Sequence, residues 1–294
     1  MSLRDKFTGT GIAIVTPFQE DRSIDWESFA ALIEFWIKGQ VEYLVVLGTT
    51  GESATVHGNE KQEVLSFVAR EAAGRIPLVA GIGGNDTNEV ISGFNNFDLK
   101  GYDAILSVSP YYNKPNQEGI FHHYKMLDAA TPLPVIMYNV PGRTGMNVTA
   151  DTQLRIAHEC KNIFATKEAS GNFDQLNQIL KYKPADFMVI SGDDPITLPM
   201  IAMGAEGVIS VVANAYPFEF SEMVRLCLKG DYVKARRLHF KYTDIISSMF
   251  TEGSPGGVKA YLAEMGLCKN TFRQPVWPVS EKHRQKIREL MKAV

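Results

Sequence analysis

Eight short apolar runs rich in Val and Ile recur along the first two thirds of the chain, each separated from the next by a longer segment. They are Gly11–Phe18, Tyr43–Gly48, Pro77–Gly83, Ala104–Pro110, Pro134–Pro141, Ile163–Ser170, Phe187–Asp193 and Gly207–Asn214. Runs such as Leu44-Val45-Val46-Leu47 show no polar alternation, so both faces of each strand must be covered. That pattern selects a parallel sheet, whose strands need helical crossovers between them. Asp25–Lys38, Asn59–Ala73, Asn88–Asp98 and Gln117–Ala130 have the helical period, with Asp25 and Asn59 as expected N-caps. Eight strand–helix alternations close most simply into a (β/α)8 TIM barrel of the α/β class; an open doubly wound sheet is the alternative.

The strand signal stops at Pro217. Helical segments follow at Phe218–Lys229, Tyr232–Phe250, Gly257–Met265 and Ser280–Ala293, with Cys268–Pro278 reading as an extended connector. The expected organisation is a catalytic barrel over residues 1–217 and a C-terminal helical extension over 218–294.

In such a barrel, chemistry lies at the C-terminal strand ends and in the loops beyond them. Strand six ends in Thr166-Lys167-Glu168-Ala169. A lysine amine with an ordinary pKa of about 10.4 needs roughly 4.6 kcal/mol to lose its proton at pH 7, so Lys167 needs either solvent at its tip or a reactive role such as Schiff-base formation. Strand two ends in Gly48-Thr49-Thr50-Gly51-Glu52-Ser53, where N–H groups and hydroxyls suit an anion, or merely a tight turn. Strand five ends in Tyr138 and continues to Arg143, a phenol able to move protons and a guanidinium shaped for a carboxylate. The bland readings are a half-buried core phenol and a surface ion pair. Strand four ends in Tyr111-Tyr112, adjacent loop aromatics of the kind that pack at interfaces.

Other chemistries are disfavoured. The net charge of −3 gives no attraction for nucleic acid or an acidic membrane. Cys160, Cys227 and Cys268 are too dispersed for a disulfide framework, which suits a reducing compartment. No metal site is expected, since Asp193-Asp194 lacks a histidine or third acid at metal spacing and Asp194 before Pro195 reads as a helix cap. Neighbours His122 and His123 diverge on their helix, and Gly81-x-Gly83-Gly84 is too short for dinucleotide binding. With no apolar export segment in Met1 to Thr10 and no charge-free stretch of transmembrane length, a cytoplasmic protein is expected.

Taken together, Gly48-Thr49-Thr50-Gly51-Glu52, Tyr138-Asn139-Val140-Pro141-Gly142-Arg143-Thr144-Gly145 and Lys167-Glu168-Ala169 resemble the dihydrodipicolinate synthase family, in the pyruvate-dependent class I aldolase superfamily. The likeness covers nearly the whole chain. It implies condensation of pyruvate with L-aspartate 4-semialdehyde in lysine and diaminopimelate biosynthesis, with no metal or organic cofactor. Lys167 would form the pyruvate iminium and Tyr138 would transfer protons, with Thr49 linking Tyr138 to Tyr112. Thr50 would hold the pyruvate carboxylate, Arg143 that of the semialdehyde, and the backbone at Gly192 and Ile209 would complete the pocket. Sister enzymes that split sialic acid or other keto sugar acids are the alternative, and Arg143 is the discriminator. A binding barrel without turnover has no need of this residue set.

The resemblance also implies a homotetramer built as a dimer of dimers, with Tyr111 at a dimer interface and Tyr112 reaching into the partner's site. Ser53, Ala54, Asn85, Glu89 and Tyr111 match the lysine effector site of the family's inhibited members. Gly58 and Lys61 depart from that pattern, and a cation at Lys61 opposes the effector's ammonium group, so weak or absent lysine feedback is expected.

Overall fold

In the computed structural model, which describes residues 2–294, the apolar runs become eight parallel strands that close on themselves. These are β1 Gly9–Ala13, β2 Tyr43–Val46, β3 Leu78–Gly81, β4 Ala104–Val108, β5 Val135–Asn139, β6 Ile163–Glu168, β7 Met188–Ser191 and β8 Gly207–Ser210. Each pairs with its sequence neighbour, and β8 pairs with β1. The closed barrel holds; the open sheet does not. Every residue of β2 is buried, because helices cover its outer face and other strands its inner one.

The helices are α1 Leu3–Phe7, α2 Trp26–Lys38, α3 Asn59–Ala72, α4 Thr87–Asn96, α5 Gln117–Ala130, α6 Pro141–Thr144, α7 Ala150–Glu159, α8 Phe173–Tyr182, α9 Thr197–Met203, α10 Pro217–Leu228, α11 Tyr232–Ser248, α12 Gly256–Glu264 and α13 Glu281–Lys292. Asp25 caps α2 through its side chain, as expected. Asn59 does not cap α3. Gly58 holds that position at φ 51° without a side-chain bond, Asn59 is the first helical residue, and the Glu60 carboxylate accepts from the His57 N–H instead. The first strand also begins at Gly9 and ends at Ala13, although Ile14, Val15 and Phe18 stay fully buried. An apolar run records burial, and burial outlasts strand pairing.

Helix α1 determines which end of the barrel is open. Its Phe7 is fully buried and meets the Tyr43 ring edge-on at 5.2 Å and Phe164 at 5.5 Å, which stoppers the N-terminal end. Accessible side chains therefore gather at the opposite end. Strand β6 carries an irregularity at its start, on the stoppered side: Val135 pairs with Ile163 but Ile136 with Ala165, so Phe164 is skipped. Phe164 and Ala165 both join the interior cluster, and the next inward position becomes Lys167. Without the bulge, the alternation of a strand would turn Lys167 toward the helices.

Helix α10 follows β8 and covers the eighth strand unit, while α12 reaches back to the loop after β2. Lys259 of α12 is wholly buried and donates to the Glu52 carboxylate at 2.7 Å and to the Thr271 carbonyl at 2.8 Å, between the rings of Phe18 and Phe272. The Arg273 N–H completes the carboxylate's shell, and the Arg273 guanidinium forks onto Glu60 at 2.6 Å. Burial lowers the Lys259 pKa, and Glu52 opposes that shift. Lys259→Met strands a buried carboxylate and is expected to cost about 3–5 kcal/mol in denaturant unfolding. Adding Glu52→Gln should restore most of that loss, and a single variant as stable as the parent would refute the pair's role.

Candidate active site

Strands β5 and β6 place Tyr138 and Lys167 directly opposite each other, and the Lys167 Nζ lies 4.1 Å from the centre of the Tyr138 ring. Only 5% of Lys167 is exposed. Burial lowers its pKa to about 7, Asp194 opposing and Arg143 reinforcing the shift. A large share of the amine is therefore uncharged near neutral pH, the state in which nitrogen attacks a carbonyl. Burial pushes the Tyr138 phenol up to about 12, Arg143 pulling the other way and Asp193 and Asp194 adding to it. Tyr138 thus keeps its proton at neutral pH and can donate it. Gly192 makes this approach possible, because a Cβ there would lie 3.0 Å from the lysine Cε and 2.8 Å from the Ala169 Cβ.

The loop after β2 forms the facing wall. Leu47 at φ 57° and Glu52 at φ 54° bracket Gly48–Gly51 in the left-handed region, which non-glycine residues seldom occupy. The turn closes through bonds from the Gly51 N–H to the Gly48 carbonyl and from the Glu52 N–H to the Thr49 carbonyl, both 3.1 Å. The Thr16 hydroxyl ties it to the segment after β1 by donating to the Gly51 carbonyl at 2.7 Å. Among the described residues, the Thr49 and Thr50 N–H groups donate to no other backbone carbonyl. These donors, with their two hydroxyls, suit a small carboxylate.

Lys167, Tyr138, Thr49, Thr50, Gly192 and Arg143 line one cavity of about 730 Å³ at the open end of the barrel. Arg143 is exposed on α6 at its mouth. Ser53, Lys61, Asn85, Glu89 and Tyr111 border the same space. Ile209, Ala54 and Tyr112 do not. Ile209 packs in the barrel interior, while Tyr112 is 88% exposed at φ 70°. No hydrogen bond joins Thr49 to Tyr138 or Tyr112 among the described residues.

Two acids near the site escaped sequence reading. Glu52 belongs to the expected motif, yet its partner lies more than two hundred residues away, and no local spacing reports that. Asp194 does not cap its own helix. The 3₁₀ turn Asp194–Ile196 has no side-chain cap, and the Asp194 carboxylate instead accepts from the N–H groups of Val211 and Val212 at 2.9 and 3.2 Å. Pairing of β7 with β8 brings the end of β8 within reach of the carboxylate. Burial raises Asp194 to about 6. The histidines diverge as expected: His123 is buried against Thr87, and His122 faces Glu118 at the surface. Among the described residues, no group of three or more His, Cys, Asp or Glu is placed to hold a metal ion, and no helix is long and apolar enough to cross a membrane.

A family model described as the dihydrodipicolinate synthetase family matches residues 6–294. The chain is 51% identical over 284 residues to the 4-hydroxy-tetrahydrodipicolinate synthase of Parabacteroides distasonis, covering 97% of this chain and 96% of that one. It matches the crystal structure of dihydrodipicolinate synthase from Aquifex aeolicus with a TM-score of 0.94 at 40% identity, covering 97% of both chains. The chloride-inhibited dihydrodipicolinate synthase of Acinetobacter baumannii, complexed with pyruvate, matches with a TM-score of 0.94 at 38% identity, over 97% of this chain and 98% of that one.

Proposed function

Because the chain belongs to the dihydrodipicolinate synthetase family, we propose that Lys167 carries pyruvate and that the residues around it steer the addition of a second, carboxylate-bearing aldehyde. The reaction is that of a 4-hydroxy-tetrahydrodipicolinate synthase, a Schiff-base lyase joining pyruvate to L-aspartate 4-semialdehyde in lysine and diaminopimelate biosynthesis. The relatives support this reading rather than a sugar-acid lyase.

The carrying observation is the buried Lys167 amine with its pKa near 7, 4.1 Å over the Tyr138 ring. In the proposed sequence the neutral amine adds to the pyruvate ketone, and Tyr138 gives the leaving hydroxyl its proton as water departs. The resulting iminium draws electrons from the methyl carbon, which loses a proton to become the enamine nucleophile. That carbon bonds to the aldehyde carbon of the semialdehyde, and the aldehyde oxygen takes up a proton as the new hydroxyl. The substrate's amino group then attacks the iminium carbon, closing the ring and releasing Lys167. The lysine itself is the electron sink, so the scheme calls on no metal or organic cofactor.

Thr50 and Thr49 hold the pyruvate carboxylate on their N–H and hydroxyl donors, with the Gly192 and Ile209 backbone completing the pocket. Arg143 at the mouth holds the second carboxylate. The exposed Tyr112 acts in the site of a partner copy, which makes a dimer the smallest complete catalyst within a proposed tetramer of two dimers. A cytoplasmic setting suits the reduced cysteines and this biosynthetic role. Incubation with pyruvate and borohydride, followed by peptide mapping, should place the mass adduct on Lys167; an adduct elsewhere, or none, would sink the mechanism.

Feedback by lysine is proposed to be weak. Lys61 borders the cavity beside Ser53, Asn85, Glu89 and Tyr111, with Ala54 nearby in sequence, and its ammonium repels a second cation. Steady-state assays with added lysine should show little loss of rate, whereas inhibition at low lysine concentration would refute this.

A further inference from the structure

We propose that Glu168 is a positioning residue, whose buried carboxylate is the common acceptor holding the strands and loops of Lys167, Tyr138 and Arg143 in register. The inference rests on Lys167 being the reacting amine.

Glu168 is 2% exposed and faces outward from β6, behind the reacting pair. Its shell contains three side-chain amides and one backbone N–H: Asn139 Nδ2 at 3.0 and 3.2 Å, Gln153 Nε2 at 2.7 Å, Gln175 Nε2 at 3.2 Å and the Ser170 N–H at 2.7 Å. Such an environment demands a group with no donor of its own, and an ionised carboxylate is the side chain that fits it. Each contact comes from a functional segment or its support. Asn139 follows Tyr138 and pairs with Glu168 across the sheet, just as Tyr138 pairs with Lys167. Asn139 also accepts the Val148 N–H at 3.0 Å, which anchors the far end of the segment carrying Arg143. Gln153 of α7 donates to Glu168 while its Oε1 accepts from the Thr166 hydroxyl at 2.8 Å, gripping β6 on both sides of Lys167. Gln175 secures α8.

The anion thus lies where one residue of slip would move Tyr138 past Lys167. An iminium-forming pair depends on that alignment, since a shift of about 1 Å can cost up to a hundredfold in rate. Glu168→Gln keeps size and shape but points a donor at donors. The expected result is a kcat lowered about 10- to 100-fold, slower borohydride-trapped adduct formation and a pyruvate KM within about twofold of the parent. The swapped pair Gln153→Glu with Glu168→Gln restores one donor–acceptor match and the same buried charge, and should recover most of the lost kcat.

All are measured on the full chain alongside its unfolding temperature. A folded E168Q with parental kcat, whatever its melting temperature, overturns the positioning role, and so does a kcat loss in E168Q that the swap leaves unrepaired. If E168Q does not fold, the swapped pair decides: kcat near the parent supports the role, and a tenfold or greater loss overturns it. Absence of the Lys167 adduct in the parent protein would instead remove the lysine reading itself, so the two failures are distinguishable.

Discussion

Lys167→Met is expected to abolish turnover and, at the same time, to make the protein harder to unfold. The activity loss should be at least about 10⁴-fold, because the cavity's other lysine, Lys61, does not stand over the Tyr138 ring as Lys167 does. The stability gain follows from the depressed pKa. Unfolded, the lysine holds its proton up to its ordinary value of 10.5; folded, only to about 7. Between those values the unfolded chain binds a proton that the folded chain lacks, so stability rises with pH across that window. The burden is fully present below pH 7 and fades toward pH 10.5. Methionine has no charge to desolvate, so the variant should gain a few kcal/mol, on the order of 3, at pH 6.5 and progressively less toward pH 10. Denaturant unfolding at pH 6.5 and 9.5 checks both magnitude and direction. Equal stabilities of variant and parent at pH 6.5 would mean that the amine is not held in its unfavourable state. The same titration predicts that borohydride trapping in the parent accelerates as pH rises through about 7.

Tyr138→Phe should lower kcat by about 10²–10⁴-fold, the range for losing a positioned proton donor. The ring packing against Lys167 survives, so the amine stays buried and the fold intact. Pyruvate should still add to Lys167, but slowly, and its KM should change far less than kcat. Rapid-quench trapping separates the steps: slow adduct formation places the phenol in iminium formation, whereas a normal adduct rate with slow turnover moves its role to the later steps. Unchanged turnover would remove Tyr138 from the chemistry altogether. Because the phenol keeps its proton up to about 12, the parent should show no loss of this donor at neutral or mildly alkaline pH.

Much of the architecture was legible along the chain. Each strand is local, its apolar run needs covering on both faces, and eight such units have few ways to pack. The strand-end rule then brought Thr49, Thr50, Tyr138, Arg143 and Lys167 within reach of one another without any long-range information. Local signals failed where a side chain chose a distant partner. Asn59 looked like a cap, but Gly58 holds that position and the helix start has no side-chain cap. Asp194 looked like a cap for its own turn and instead binds the end of β8, one helix and one strand further along the chain. Glu52 carried no hint of Lys259, nor Glu168 of Gln153 and Gln175.

By itself the amino-acid order determined the kind of sheet, the number of units and the reactive residue types at their ends, because periodicity and strand length act over a few residues. Only the tertiary structure decided which way those residues face and how acidic they are. The bulge at Phe164 turns Lys167 inward, Gly192 lets it pack close, and the closed wall removes the water that would otherwise keep its proton on. Sequence names an amine. Its pKa depends on solvent exclusion and on charges from the segments that follow other strands, which gather around it only once the barrel has closed.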